Sequence, residues 1–77
     1  MENENKLKAT VLLMHYPNDE MWTATVPAIE GCLAEGETPE VATDNIQAEL
    51  KEIINKFPET KEKLKNQADY LLTNVEI

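Results

Sequence analysis

The sequence is poor in the residue types that stabilise other small domains. It has one cysteine, one histidine, two glycines and no arginine among 77 residues. One cysteine cannot form an internal disulfide, and Cys32 and His15 are too few to make a structural zinc site. A single domain of this size buries only about 60% of its unfolded surface. We therefore expect oligomerisation to supply the missing stability.

Long apolar runs and targeting patterns are also missing. No stretch approaches the roughly 20 apolar residues that a membrane-spanning helix needs, and the start of the chain, MENENKLK, lacks the pattern of a signal peptide. A lone thiol is typical of a reducing compartment. These features predict a cytoplasmic protein that does not bind a membrane.

Basic residues are scarce. Seven lysines stand against 15 acidic residues, which gives a formal net charge of −8. Such a chain repels a phosphate backbone, so we expect no direct binding to nucleic acid. The same charge would steer basic partners toward the protein, although acidity also simply keeps a small domain soluble.

Three segments have the composition of antiparallel strands. The first runs from Lys6 to His15 and ends in a turn rich in Pro, Asn and Asp. The second, Met21–Val26, alternates apolar and polar residues and stops before Pro27, which cannot donate to a strand ladder. Cys32–Gly36 follows a short turn. Together these segments predict a three-stranded antiparallel meander.

The second half of the first strand is apolar on both of its faces. Leu13 shares one face with the preceding odd-numbered apolar residues, whereas Leu12 and Met14 lie on the other. A strand between a helix and water should alternate apolar and polar residues. Leu12 and Met14 therefore need a second cover, most simply another copy of the chain, and are the candidate self-association residues.

A helix start follows the third segment. Thr38 is a favoured N-cap, Pro39 suits the first helical position, and Glu37 and Glu40 complement the positive end of the helix dipole. Pro58 should end the helix. The helix between them carries one apolar stripe, formed by Val41, Ala42, Ile46, Leu50, Ile53, Ile54 and Phe57.

The end of the chain fits two interpretations. Leu64, Ala68, Leu71 and Leu72 have helical spacing, whereas Leu71, Thr73, Val75 and Ile77 alternate as in a strand. We favour a short helix over Glu59–Asn66 and a final strand over Tyr70–Ile77. The predicted fold is then a single α+β domain over residues 1–77, with residues 1–5 frayed. Its order is β-β-β-α-β, in two layers with the long helix packed on the sheet.

The segment from Trp22 to Ile46 resembles the HicB-like antitoxin family. That family shares the approximate pattern Y-x-A-x-V-P-E-L-P-G-C-x-A-x-G-D-T-x-E-E-A-x-x-N-I. The chain departs from it at Ala28, Glu30 and Val41. The positions that match in order and spacing are Trp22, Ala24, Val26, Pro27, Gly31, Cys32, Ala34, Gly36, Thr38, Glu40, Ala42, Asn45 and Ile46.

The resemblance implies a β-β-β-α-β fold, similar to a trimmed RNase H core, that assembles as a homodimer or homotetramer. It also implies a partner, since HicB antitoxins mask HicA, a small basic toxin that cleaves messenger RNA. Many HicB proteins add a C-terminal DNA-binding segment, and Phe57–Ile77 is too short to supply one. The chain thus resembles a stand-alone HicB-like domain. The alternative is an orphan HicB-like dimerisation or regulatory module with an unknown protein partner.

No residue pattern indicates catalysis, a cofactor or a metal ion. His15 lies at a strand end without a nucleophile at a recognisable spacing, and Cys32 lacks a basic neighbour that would lower its pKa. The acidic residues cluster in turns and at a helix cap, whereas metal chemistry needs carboxylates that converge on one point. We therefore expect a non-enzymatic binding protein. Its expected partner interface contains Trp22, Glu35 and Glu37, although Trp22 also suits a core position beneath the helix.

Overall fold

A computed structural model describes residues 7–76 as a three-stranded antiparallel sheet and two helices. The strands are β1 (Leu12–Met14), β2 (Trp22–Thr25) and β3 (Leu33–Gly36), and they lie in the order β1-β2-β3. The helices are α1 (Pro39–Lys56) and α2 (Thr60–Lys65). This confirms the α+β class, the antiparallel meander and the long helix. The predicted fraying of residues 1–5 lies outside the described residues.

The core lies between the sheet and α1, which contacts all three strands. Leu13, Ala24 and Ala34 pair across the strands and share the face that meets the helix. Apolar side chains from both layers are removed from water there, and this burial is the main favourable term in folding. The buried apolar residues are Ala24, Val26, Ile29, Cys32, Ala42, Ile46 and Leu64.

The first strand is shorter than the predicted Lys6–His15. Lys6 is outside the described residues, and pairing with β2 covers only residues 12–14. In the β1–β2 register, the next residue that would bond to β1 is Pro27, opposite Thr10, and proline has no backbone N–H to donate. The β1 ladder therefore begins at Leu12, and residues 7–11 are left without a neighbouring strand.

A side chain takes the place of that neighbour. The Gln67 amide donates from Nε2 to the carbonyl of Lys8, at 2.8 Å, and its Oε1 accepts from the backbone N–H of Thr10, at 3.1 Å. One residue of a parallel strand would make the same two bonds on either side of Ala9. Gln67 therefore satisfies two main-chain groups that a strand edge would otherwise expose.

The C-terminal segment gives a mixed result. The predicted helix over Glu59–Asn66 is confirmed as α2, whereas the final strand over Tyr70–Ile77 is not shown. Residues 70–76 form neither helix nor strand, and Ile77 lies outside the described part of the chain. A strand exists only through hydrogen bonds to a partner, and within residues 7–76 this segment makes no such backbone pairs.

The start and end of α1 lie where the sequence predicts them. The Thr38 side chain accepts a hydrogen bond from the Val41 N–H, at 3.1 Å, and Pro39 is the first helical residue. The helix ends at Lys56, one residue before the Phe57 cap and two before Pro58. In the predicted apolar stripe, Ala42 and Ile46 are buried and the next three members are half-buried, whereas Val41 and Phe57 are exposed.

Removing the helix cap should destabilise the fold measurably. Thr38→Ala is expected to lower the free energy of unfolding by about 1 kcal/mol, because the Val41 N–H loses its acceptor at the helix start. Thr38→Ser keeps the hydroxyl and is the matched control. Urea unfolding followed by circular dichroism checks both variants, and equal stability of the two would contradict the capping role.

Candidate interaction surface

The sheet has one face covered by α1 and one face without a helix. Leu12 pairs with Thr25, which pairs with Leu33, and Met14 pairs with Thr23, which pairs with Glu35. We call these six residues the open face. Among the described elements, α1 packs on the opposite face and α2 contacts no strand. The structure therefore places both candidate self-association residues, Leu12 and Met14, on the open face.

The open face carries little charge. Five of its six residues are apolar or are threonines, and Glu35 is its one acidic residue. Leu33 at its outer strand is 54% exposed. An apolar, nearly uncharged sheet face that no helix covers is unusual on a monomeric protein and typical of an interaction site.

The three residues of the expected partner interface lie near one corner of the sheet but not on one face. Trp22 pairs with Gly36, on the side that meets α1, and is half-buried against the core. Glu35 lies on the open face, and Glu37 is exposed just after β3. The core placement of Trp22 that the sequence allowed is therefore the one observed. The partner interface itself stays a prediction.

His15 supports Trp22 at this corner. The two rings stack with centroids 4.8 Å apart and planes inclined by 20°. The stack continues the β1–β2 register, in which residue 15 would oppose residue 22. Aromatic pairs in this arrangement stabilise a fold modestly beyond their burial. His15 is thus a packing residue in the structure.

The Asn45 side chain connects α1 to the end of β3. Its side-chain Nδ2 donates to the backbone carbonyl of Glu35, at 2.7 Å, and so fixes the first turns of α1 beside the end of β3. Sequence reasoning placed Asn45 only in the family pattern and missed this role. Hydrogen bonds from the side chains of Thr38 and Asn45 therefore hold the connection between β3 and α1. Glu35 and Glu37 project from this fixed stretch of backbone.

Acidic and basic residues are segregated along the chain. Residues 9–50 contain eight of the 15 acidic residues and none of the seven lysines, so this part of the chain carries the whole formal charge of −8. All eight carboxylates are exposed. Glu35 lies within β3, and the other seven belong to the turns around β2 and β3 and to the first three turns of α1. The lysines of the described residues lie at Lys8 and from Lys51 onward.

Cys32 is buried beneath α1 and is a poor nucleophile. Burial raises the pKa of its thiol, and the Glu49 carboxylate raises that pKa further. The neutral thiol therefore predominates near neutral pH, whereas the thiolate is the reactive form. The geometry assigns Cys32 to packing.

We expect alkylation of Cys32 in the folded protein at about pH 8 to be at least roughly tenfold slower than in the urea-unfolded chain. Iodoacetamide labelling followed by mass spectrometry checks the rates. Equal rates in the two states would show that the thiol is accessible.

The raised thiol pKa also links stability to pH. The contribution of Cys32 to stability is present below the unfolded pKa of about 8.5 and is lost as pH rises through the folded value.

Neither a metal cluster nor a membrane helix is found in residues 7–76. Their His, Cys, Asp and Glu side chains form no group of three or more with a geometry that would hold a metal ion. Neither α1 nor α2 combines the length and the apolar character that crossing a membrane requires. The chain matches no known family model, no curated protein and no solved structure.

Proposed function

We propose that the protein is a non-enzymatic antitoxin-type protein that self-associates and neutralises a basic, HicA-like toxin that cleaves messenger RNA. The observation that carries this proposal is the charge segregation, because residues 9–50 combine eight exposed carboxylates with no lysine. Small RNA-cleaving proteins need a basic surface for their substrate. A protein that presents a fixed acidic surface competes with RNA for that basic surface and accelerates the encounter. The HicB-like pattern from Trp22 to Ile46 supports the same function.

The acidic corner at the end of β3 is the best-defined part of that surface. The carboxylates of Glu35 and Glu37 flank Gly36 on a backbone that the Asn45 and Thr38 hydrogen bonds hold in place. Charges on a fixed backbone need less ordering on binding than charges on a flexible loop. Trp22 lies nearby as an aromatic side chain that is only half-buried.

The direct test is inhibition of a HicA-type nuclease. Mixing the two proteins at a near-stoichiometric ratio should abolish RNA cleavage. Complete cleavage in the presence of excess protein would overturn the antitoxin proposal. The open face would then favour the second candidate function, a homodimerisation module that regulates a different protein partner.

Charge-neutral variants test which carboxylates act. The double variant E35Q/E37Q is expected to slow association with the toxin by roughly tenfold at low salt. The matched control is E59Q/E62Q, which removes two carboxylates from the lysine-containing part of the chain. Stopped-flow measurements at two salt concentrations compare the variants. Equal slowing by both pairs would show that only net charge matters.

Self-association depends on the open face. Leu12→Asp is expected to shift the protein toward monomer, because the substitution places a charge opposite Thr25 on a surface that a second copy would bury. Light scattering gives the mass, and circular dichroism shows whether the fold is kept. Asn55→Asp, which adds the same charge at an exposed position of α1, is the control. An unchanged mass for Leu12→Asp would contradict this interface.

A further inference from the structure

The segment Tyr70–Glu76 is exposed although its composition is that of a strand. Leu71 is 90% exposed and Leu72 is 78% exposed, and Val75 is exposed to a similar extent. Within residues 7–76 the backbone of this segment has no hydrogen-bonded partner. A segment outside helix and sheet whose apolar side chains are exposed gains little free energy from its own conformation. Its apolar side chains are therefore positioned to be covered by something else.

The segment starts at a fixed point beside β1. Gln67 is bound to Lys8 and Thr10 through its side chain, and three residues later the chain reaches Tyr70. From Tyr70 to Leu72 it borders an apolar groove of about 290 Å³, whose other walls are Thr10, Val11, Leu12 and Pro27. Leu12 thus belongs both to this groove and to the open face. The groove and the open face form one continuous surface.

The chain's own segment forms one wall of the groove, so the occupant comes from another molecule. Residues 70–75 carry no charge, and the open face carries only Glu35. Two chains with a net charge of −8 repel each other least where both contacting surfaces are uncharged. A basic partner would instead prefer the acidic surface of residues 9–50. The occupant that fits an uncharged groove on an acidic protein is a second copy.

We propose that Tyr70–Glu76 is a self-association arm, which in a two-fold dimer packs Leu71 and Leu72 into the groove and open face of the other copy. The arm and the surface that receives it belong to the same chain, so both contacts form at once, as a two-fold interface requires. Because β1 is at the edge of the sheet, the arm of one copy can also form backbone hydrogen bonds with β1 of the other. This inference rests on the self-association part of the proposed function and does not depend on the toxin.

The test is the double variant L71S/L72S, studied in the full chain. Both side chains are largely exposed in the monomer, so the variant should fold, and circular dichroism verifies this. Removing four leucines from a two-fold interface is expected to raise the dimer dissociation constant at least roughly a hundredfold. Phe57→Ser removes a large side chain that is 54% exposed and lies outside the arm and the open face, and it should leave the dissociation constant unchanged.

Light scattering over a wide concentration range separates the outcomes. A dimeric wild type with a weakened L71S/L72S variant supports the arm. If L71S/L72S dimerises as tightly as the wild type, the proposal of a self-association arm is wrong. The Leu12→Asp result then still decides whether the open face self-associates. A wild-type protein that stays monomeric at every concentration overturns both the arm and self-association through the open face. In that case a loss of urea stability in L71S/L72S would show that the arm closes on its own sheet. Toxin inhibition is measured separately and fails or succeeds independently.

Discussion

Ile46→Ala is expected to lower the free energy of unfolding by about 2–5 kcal/mol, the largest effect of any substitution considered for this protein. Ile46 is fully buried in α1, in the cluster that also contains Ala24, Val26 and Leu64. Truncation removes apolar contacts and leaves a cavity that a close-packed core fills only in part. In a domain of 77 residues a single hydrophobic core rarely supplies more than about 3–5 kcal/mol of net stability. The variant should therefore be partly unfolded at physiological temperature.

Urea unfolding at a fixed protein concentration measures the effect, since self-association would make stability depend on concentration. Trp22, the single tryptophan, is half-buried against the core and is a suitable fluorescence probe. Val41→Ala, on the same helix at a position that is 43% exposed, is the matched control and should cost less than about 1 kcal/mol. Similar losses for the two variants would mean that Ile46 is not central to the core.

The elements that could be predicted from the sequence are those whose signals are local. Thr38 and Pro39 define the start of α1 because capping involves neighbouring residues only, and the structure shows the expected bond to Val41. The alternation from Met21 to Val26 likewise predicts which side chains of β2 face the helix. Ala24 and Val26 are buried there, and Trp22 lies on the same side.

The extent of β1 and the conformation of the arm could not be predicted in the same way. Strand length is decided by partners that are distant in sequence. Here the β1 ladder stops where Pro27 would have to donate, and the side chain of Gln67, 57 residues from Thr10, takes the vacant place. Nothing in the local pattern of either segment indicates that a glutamine side chain replaces a strand. The alternation of Tyr70–Ile77 predicts a strand that the structure does not show, because pattern alone cannot supply a hydrogen-bonding partner.

The candidate surface was predictable to a similar degree. The two apolar faces of the first strand indicate that Leu12 and Met14 need a cover, and this follows from periodicity alone. The register that places Trp22 and Glu35 on opposite faces requires the pairing of β2 with β3, which local sequence does not indicate.

The two proposed interactions, toxin binding and self-association, should respond to salt in opposite directions. Screening should weaken binding of a basic toxin to the acidic part of the chain and should strengthen self-association of two like-charged copies.

Gly36→Ala is expected to destabilise the protein by about 1–3 kcal/mol or more, through overpacking between β3 and α1. A methyl group on Gly36 would lie 2.8 Å from the carbonyl carbon of Val41 and closer still to the amide nitrogen of Ala42. Both are backbone atoms of the first turns of the helix. These turns cannot retreat from β3 without breaking the bond from Asn45 to the carbonyl of Glu35 or disturbing the Thr38 cap. The close approach of backbone to backbone, and not a special φ, is what requires glycine here.

Gly31 provides the control, because it requires glycine for the opposite reason. Its φ is +84°, and a methyl group there would meet nothing within 4 Å. Asparagine tolerates this left-handed conformation, so Gly31→Asn should cost less than about 1 kcal/mol. If Gly36→Ala were equally mild, β3 and α1 would have to be less closely packed than the structure shows. The expected result is a large loss of unfolding free energy in Gly36→Ala alone, together with faster hydrogen exchange of the Val41 amide. It would locate the strain at the junction of β3 and α1, which carries Glu35 and Glu37.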